Sequence, residues 1–199
     1  MVRALGFTIF IALVLAGGAG IAVDTAHAAD DNALAWAALR GDGRVALIRH
    51  ASAPGPSGDP KNLRLDDCKT QRNLSEQGRA QARALGDLFR AQHVKIGKVV
   101  SSQWCRTRQT AELMNIGPVE EAPTFNNAFV LSERRAELTE GAREAIAAWR
   151  GPGTLVVATH GANILALLGV SPAEGEVVVV VPDPANAQKM RLIGRIGRS

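Results

Sequence analysis

The sequence predicts an α/β sandwich built on a mostly parallel sheet, and three observations carry that prediction. Two apolar runs, Val45–Ile48 and Leu155–Ala158, have the continuous hydrophobicity of strands buried on both faces. Each delivers a histidine to its end, Arg49-His50 after the first and Thr159-His160 after the second. Between them, a helical segment over residues 76–91 separates the first strand from another at Lys98–Ser101. That is a βαβ unit, which demands parallel strands and a right-handed crossover.

The elements follow in order. The first thirty residues have the layout of a signal peptide: Arg3 near the N-terminus, an apolar core from Leu5 through Ala16, and small residues running to Ala26-His27-Ala28. Cleavage after Ala28 is expected, leaving one domain over residues 29–199 in a periplasmic or secreted location. The apolar core is short for a membrane span, and no later segment is long and apolar enough for one. Leu34, Trp36, Ala37, Ala38 and Leu39 mark a short amphipathic helix stopped by Gly41 and Gly43. The first strand begins at Arg44 or Val45. Residues 53–61, with Pro54, Gly55, Pro56, Gly58 and Pro60, must form a loop beside the Arg-His pair.

Ser75 is a good N-cap and Glu76 lies in the first helical turn, with Leu85, Leu88 and Phe89 at helical spacing. After the second strand, Arg106–Met114 reads as a helix whose N-terminal N–H groups favour an anion. Residues 115–138 are poorly periodic and predict a short strand near Val119 and a small lid or loop. Ala142, Ala145, Ile146 and Trp149 mark a further helix, stopped by Gly151-Pro152-Gly153. The strand Leu155–Ala158 leads to His160 and a helix over residues 162–168. Val177–Val181 is a strand, followed by an edge strand over Met190–Ile193.

The net charge is +4. Loss of the leader leaves it unchanged, because the leader carries one arginine, Arg3, and one aspartate, Asp24. A basic balance favours anionic ligands. Lys189, Arg191, Arg195 and Arg198 read as a solvated cationic tail, and no basic stripe interleaved with aromatics points to nucleic acid. In an oxidising compartment Cys68 and Cys105 commonly close into a disulfide; two small buried thiols are the other reading.

The ordered segments Arg49-His50, Ser101-Ser102-Gln103-Trp104-Cys105-Arg106-Thr107-Arg108-Gln109-Thr110-Ala111 and Thr159-His160-Gly161 resemble the histidine phosphatase superfamily over residues 44–181. Many members carry glycine where this chain has Ala51, which is tolerated unless the backbone there needs positive φ. The run Asp66–Ser75 together with Trp104-Cys105-Arg106 is similar to an exported bacterial subset. The resemblance implies a three-layer, phosphoglycerate mutase-like sandwich and hydrolysis of phosphomonoesters through a phosphohistidine at His50. Arg49 and Arg106 would neutralise the phosphoryl group by bidentate hydrogen bonds, His160 would stabilise it in transfer, and Arg72 would add a distal contact unless it is a surface residue. Two flanking arginines should disfavour the imidazolium form of His50. No metal or other cofactor is required.

A leaving alkoxide needs a proton unless its own pKa is low. Mutase-like members usually carry a glutamate after the third strand, where this chain presents Phe125-Asn126-Asn127-Ala128-Phe129. Glu133 is the candidate donor, with Glu176 and Asp59 behind it. Two rival readings remain. In one, His50 and His160 join Asp66 or Asp67 as zinc ligands, a reading opposed by the adjacent arginines. In the other, an exported module binds phosphorylated glycans or other anions without turnover. A phosphatase acts on a small phosphomonoester, for which an envelope sugar phosphate is a candidate.

Overall fold

The computed structural model describes residues 31–183, 185–186 and 189–197; the expected leader over 1–28, its cleavage point and Arg198 lie outside them. Six strands form one sheet: β1 (Arg44–Arg49), β2 (Ile96–Ser101), β3 (Val119–Glu121), β4 (Thr154–Thr159), β5 (Val177–Pro182) and β6 (Met190–Ile196). Their spatial order is β3-β2-β4-β1-β5-β6. The pairs β1–β4, β2–β4 and β2–β3 are parallel, whereas β5 runs antiparallel to β1 and β6 antiparallel to β5. The predicted mostly parallel sheet is therefore present, with an antiparallel hairpin added at one edge.

Period-two alternation sorts the apolar side chains into two cores. Ala46, Ile48, Val156, Ala158, Val177 and Val179 face one side, against Trp36 and Leu39 of helix α1 (residues 31–39), Leu85 and Phe89 of α2 (Glu76–Ala91), and Ala111 and Met114 of α3 (Cys105–Met114). Val45, Leu47, Leu155, Val157, Val178 and Val180 face the other, against Ala142 and Ile146 of α4 (Arg135–Ala147) and Ile164 and Leu167 of α5 (Gly161–Leu168). Burial on both faces explains why β1 and β4 read as unbroken apolar runs. Among the described residues, no helix is long and apolar enough to cross a membrane.

Several boundaries differ from the sequence expectation. β2 begins at Ile96 rather than Lys98, through an irregularity in its pairing with β4. The helix expected to reach Trp149 ends at Ala147, and Trp149 instead donates Nε1–H to the Gly153 carbonyl at 3.3 Å. The stretch after β3 holds two 3-10 turns, Pro123–Phe125 and Ser132–Arg134. The basic segment read as a solvated tail is largely β6: residues 190–196 pair with β5, and Arg195 forms an ion pair with the buried carboxylate of Glu176.

Ser75 caps α2 as its sequence predicts, accepting from the Gly78 N–H at 2.9 Å. Two glycines of α2 mark where backbone meets backbone. A β-carbon on Gly78 would lie 2.0 Å from the Ser52 carbonyl oxygen, and one on Gly86 would lie 1.9 Å from the Met114 carbonyl oxygen at the end of α3. In a free helix, Gly→Ala stabilises by about 1 kcal/mol. Here Gly86→Ala is expected to destabilise by about 1–3 kcal/mol through overpacking, read from the urea midpoint; a raised midpoint would contradict the close approach of α2 and α3.

Candidate active site

The register of the central strands assembles the site. β1 and β4 pair from Arg44 against Thr154 to Arg49 against Thr159, so the next residues, His50 and His160, emerge side by side at the carboxyl edge of the sheet. The His50 backbone N–H continues the ladder onto the Thr159 carbonyl at 2.9 Å, and the two imidazole rings lie 5.7 Å apart, edge to face. On the other side of β4, Ser101 pairs with Ala158, which brings Ser102 beside His160 and points the start of α3 at the same edge. Chemistry at the carboxyl ends of parallel strands is where this architecture places its sites.

His50 is 2% exposed. Its Nδ1 lies 2.9 Å from the Ala51 carbonyl oxygen, which can only accept, so Nδ1 carries the proton and Nε2 keeps its lone pair. Burial pushes its pKa down from 6.5 to about 3, against the Ala51 hydrogen bond and with the help of the charges of Arg106, Arg72 and Arg49. Ala51 is fully buried and is not among the residues at positive φ, so this chain has no need of glycine there. His160 is held at both ring nitrogens, with Nε2 2.9 Å from Ser102 Oγ and Nδ1 3.4 Å from Arg106 Nη2. Arginine only donates, so His160 Nδ1 accepts in this arrangement and Nε2–H is directed to Ser102. Burial, then the charge of Arg106, hold His160 well below its ordinary pKa.

Three arginines surround the pair. Arg106, in the first turn of α3, is fully buried and clamped by Asp59: Nη1 to Oδ1 at 2.7 Å and Nη2 to Oδ2 at 3.0 Å. Arg49 donates Nη1 to the Pro172 carbonyl at 2.8 Å and meets Glu174 Oε1 at 3.4 Å. Arg72 donates to the Ala53 carbonyl and also meets Glu174 Oε1 at 3.4 Å. The Nε–H groups of Arg49, Arg72 and Arg106 are all buried with no hydrogen-bond partner among the described residues. All three side chains line one cavity of about 250 Å³ together with His50 and His160. Asn127, Phe129 and Leu165 are also in its lining, with Phe129 about half exposed. Three guanidinium side chains around one cavity fit an oxyanion.

Cys68 and Cys105 form a disulfide, joining the 3-10 turn Cys68–Thr70 to the first residue of α3. Gln71, just beyond that turn, accepts from the Cys105 N–H at 2.9 Å. The crosslink thereby ties the segment bearing Arg72 to the helix bearing Arg106.

The sequence-predicted residues thus divide. Arg49, His50, Arg72, Arg106 and His160 converge on the cavity. Glu133 does not: it is exposed in the turn Ser132–Arg134, outside the cavity lining. Glu176 is buried against Arg195 and accepts from the Ala173 N–H, and Asp59 is committed to Arg106. Asp66 pairs with Arg64, and Asp67 caps the turn that begins at Cys68. Among the described residues, no three His, Cys, Asp or Glu side chains form a group able to hold a metal ion. Sequence reasoning passed over Glu174 and gave Ser102 no role of its own within its motif; the parts of both depend on contacts 125 and 58 residues away along the chain.

Comparison with known proteins agrees with this fold. The sequence pattern of the histidine phosphatase superfamily (branch 1) matches residues 45–150. No curated protein matches. Among solved structures, a protein assigned as phosphohistidine phosphatase SixA from Agrobacterium tumefaciens is similar over 78% of this chain and 98% of its own, at 21% identity and a TM-score of 0.54. A protein histidine phosphatase SixA complexed with tungstate is 19% identical over 77% of this chain and 96% of its own, with a TM-score of 0.50. A mycobacterial glucosyl-3-phosphoglycerate phosphatase is 15% identical over 77% and 98%, with a TM-score of 0.57. Likeness at these identities shows a shared fold.

The depressed pKa of His50 has a signed consequence for stability. Between pH 6.5 and about 3 the unfolded chain binds a proton there that the folded protein refuses, so the stabilisation is fully present above pH 6.5 and is lost as the pH falls toward 3. His160 acts in the same direction. The unfolding free energy is expected to rise with pH across this window by up to about 1.4 kcal/mol per unit per histidine. Denaturant titrations at a series of pH values should show a shallower rise in His50→Gln; equal slopes in the two proteins would rule out the neutral, buried imidazole.

Proposed function

The chain belongs to the histidine phosphatase superfamily (branch 1), and from that premise we propose that it is an exported phosphatase that hydrolyses phosphomonoesters through a phosphohistidine at His50. The observation that carries the proposal is the meeting of a neutral imidazole, its Nε2 lone pair free, with three arginine side chains in the lining of one cavity.

In the proposed reaction, the His50 Nε2 lone pair forms a bond to phosphorus as the bond to the leaving oxygen breaks and that oxygen takes the electron pair. Arg49, Arg72 and Arg106 balance the charge on the non-bridging oxygens, and His160, which accepts from Arg106 at Nδ1, stands beside them in the cavity lining. Water then attacks phosphorus, one of its protons passes to a non-bridging oxygen of the departing phosphate, the nitrogen–phosphorus bond breaks, and the pair returns to Nε2 as dihydrogen phosphate leaves. Among the described residues the cavity lining holds no carboxylic acid, which favours leaving groups that depart as stable anions. The leader over residues 1–28 and the Cys68–Cys105 disulfide support the exported location. Phe129 and Leu165 at the cavity mouth supply apolar contact for the remainder of the substrate. The structural neighbours are named for substrates as different as phosphohistidine and a glucosylated phosphoglycerate. For this chain an envelope sugar phosphate is the candidate that goes with export. The missing carboxylic acid also favours a second reading, an exported module that binds phosphorylated glycans or other anions without turnover.

The mature protein is expected to hydrolyse an activated aryl phosphate far faster than an alkyl phosphate and to yield an acid-labile, base-stable phosphoprotein on rapid quenching. His50→Ala should abolish both, and Arg106→Ala should lower kcat by about 10²–10³. Normal turnover in a folded His50→Ala protein would refute the covalent mechanism. Phosphate binding with neither turnover nor phosphoprotein would select the binding module. Glu133→Gln should leave kcat within about twofold, as expected for an exposed carboxylate away from the cavity.

A further inference from the structure

We propose that Asp59 is a positioning residue of this site: its carboxylate, carried on the proline-rich loop, fixes the orientation in which Arg106 presents its guanidinium to a phosphoryl group. The kinetic part of this inference rests on the phosphatase reading; the binding part does not.

Four hydrogen bonds converge on the Asp59 carboxylate. Oδ1 accepts from Arg106 Nη1 at 2.7 Å and from the Arg72 backbone N–H at 3.0 Å, and Oδ2 accepts from Arg106 Nη2 and from Trp104 Nε1–H, both at 3.0 Å. Both side chains of the ion pair are wholly shielded from solvent. A bidentate fork fixes the plane of a guanidinium as well as its place, which a single contact cannot do. With both terminal nitrogens engaged, the Arg106 Nε–H remains without a partner. Asp59 also reaches His160 indirectly, because the Trp104 ring that it anchors packs edge-on against His160 at 5.5 Å. The same loop contributes Ser57 and Gly58 to the cavity lining. Loop, tryptophan and arginine are therefore held by one carboxylate.

This role predicts an effect opposite in sign to simple electrostatics. Taking a negative charge away from beside an anion site should strengthen anion binding if Asp59 is only a counter-charge. If Asp59 positions Arg106, its loss weakens binding. Asp59→Asn keeps the shape, but its amide N–H groups face donors, so the fork cannot reform.

The test compares wild type with Asp59→Asn by calorimetric titration with inorganic phosphate and with orthovanadate, and by steady-state hydrolysis of an aryl phosphate. The expected result is at least fivefold weaker phosphate binding, at least tenfold weaker vanadate binding, and a ten- to hundredfold lower kcat with KM changed less than threefold. Unchanged or tighter phosphate and vanadate binding in the folded variant would overturn the inference. A wild type that binds vanadate without turnover would defeat the phosphatase reading and leave the binding arm to decide the role of Asp59. Should Asp59→Asn fail to fold, the wild-type protein still decides: nitrogen-15 spectra should resolve separate, slowly exchanging Nη signals for Arg106, and one averaged signal would overturn the fork.

Discussion

The in-register parallel pairing of β1 with β4 is the constraint from which the rest of the site follows. Because Arg49 stands opposite Thr159, both strands expire at one level and hand over a histidine each. A slip of one residue would turn every side chain of one strand to the other face of the sheet, taking Ile48 and Val156 out of the same core and separating the imidazoles. Packing on both faces therefore enforces the chemical alignment. The helices contribute by the same route: α3 sits where its first turn meets that edge, held from behind by the contact of Gly86 with the Met114 carbonyl.

Charge in the site is arranged in two tiers. The imidazoles are kept neutral by burial and by the surrounding cations, and the cations are paired and oriented by carboxylates outside the cavity lining. Asp59 holds Arg106, and Glu174 spans Arg49 and Arg72 while also accepting from the Ala53 N–H at 3.3 Å. Each carboxylate thus stiffens a cationic side chain of the cavity lining from outside it. Preorganised donors of this kind stabilise developing charge without reorganising at the moment of reaction.

Much of this was legible in the sequence, for identifiable reasons. The apolar runs of β1 and β4, the Ser75 cap and the glycine stops around Gly151 are local signals, and they located the strands and helices to within a few residues. Arg49, His50, Arg106 and His160 were readable because they adjoin those elements. What escaped depends on contacts made across the fold. Asp59 meets Arg106 from 47 positions away, and nothing in Gly58-Asp59-Pro60 distinguishes a clamp from a loop carboxylate. Glu133 looked eligible by its distance along the chain, but the turn that carries it leaves it exposed. The charge of Arg195 suggested a solvated tail, whereas its strand pairing and the Glu176 partner place it at the sheet edge.

The cavity is built of two kinds of material. Its floor, with His50, Arg106 and His160, is almost wholly buried and stands on strand ends and the first turn of a helix, whereas its rim includes the exposed side chains of Phe129 and Leu165. Replacing a floor residue disturbs burial, charge balance and folding together, whereas exposed rim residues usually change stability by no more than about 0.5 kcal/mol. The rim can therefore vary in sequence while the floor stays fixed. It is the part of the cavity open to change by evolution, or by a designer, with little risk to the fold.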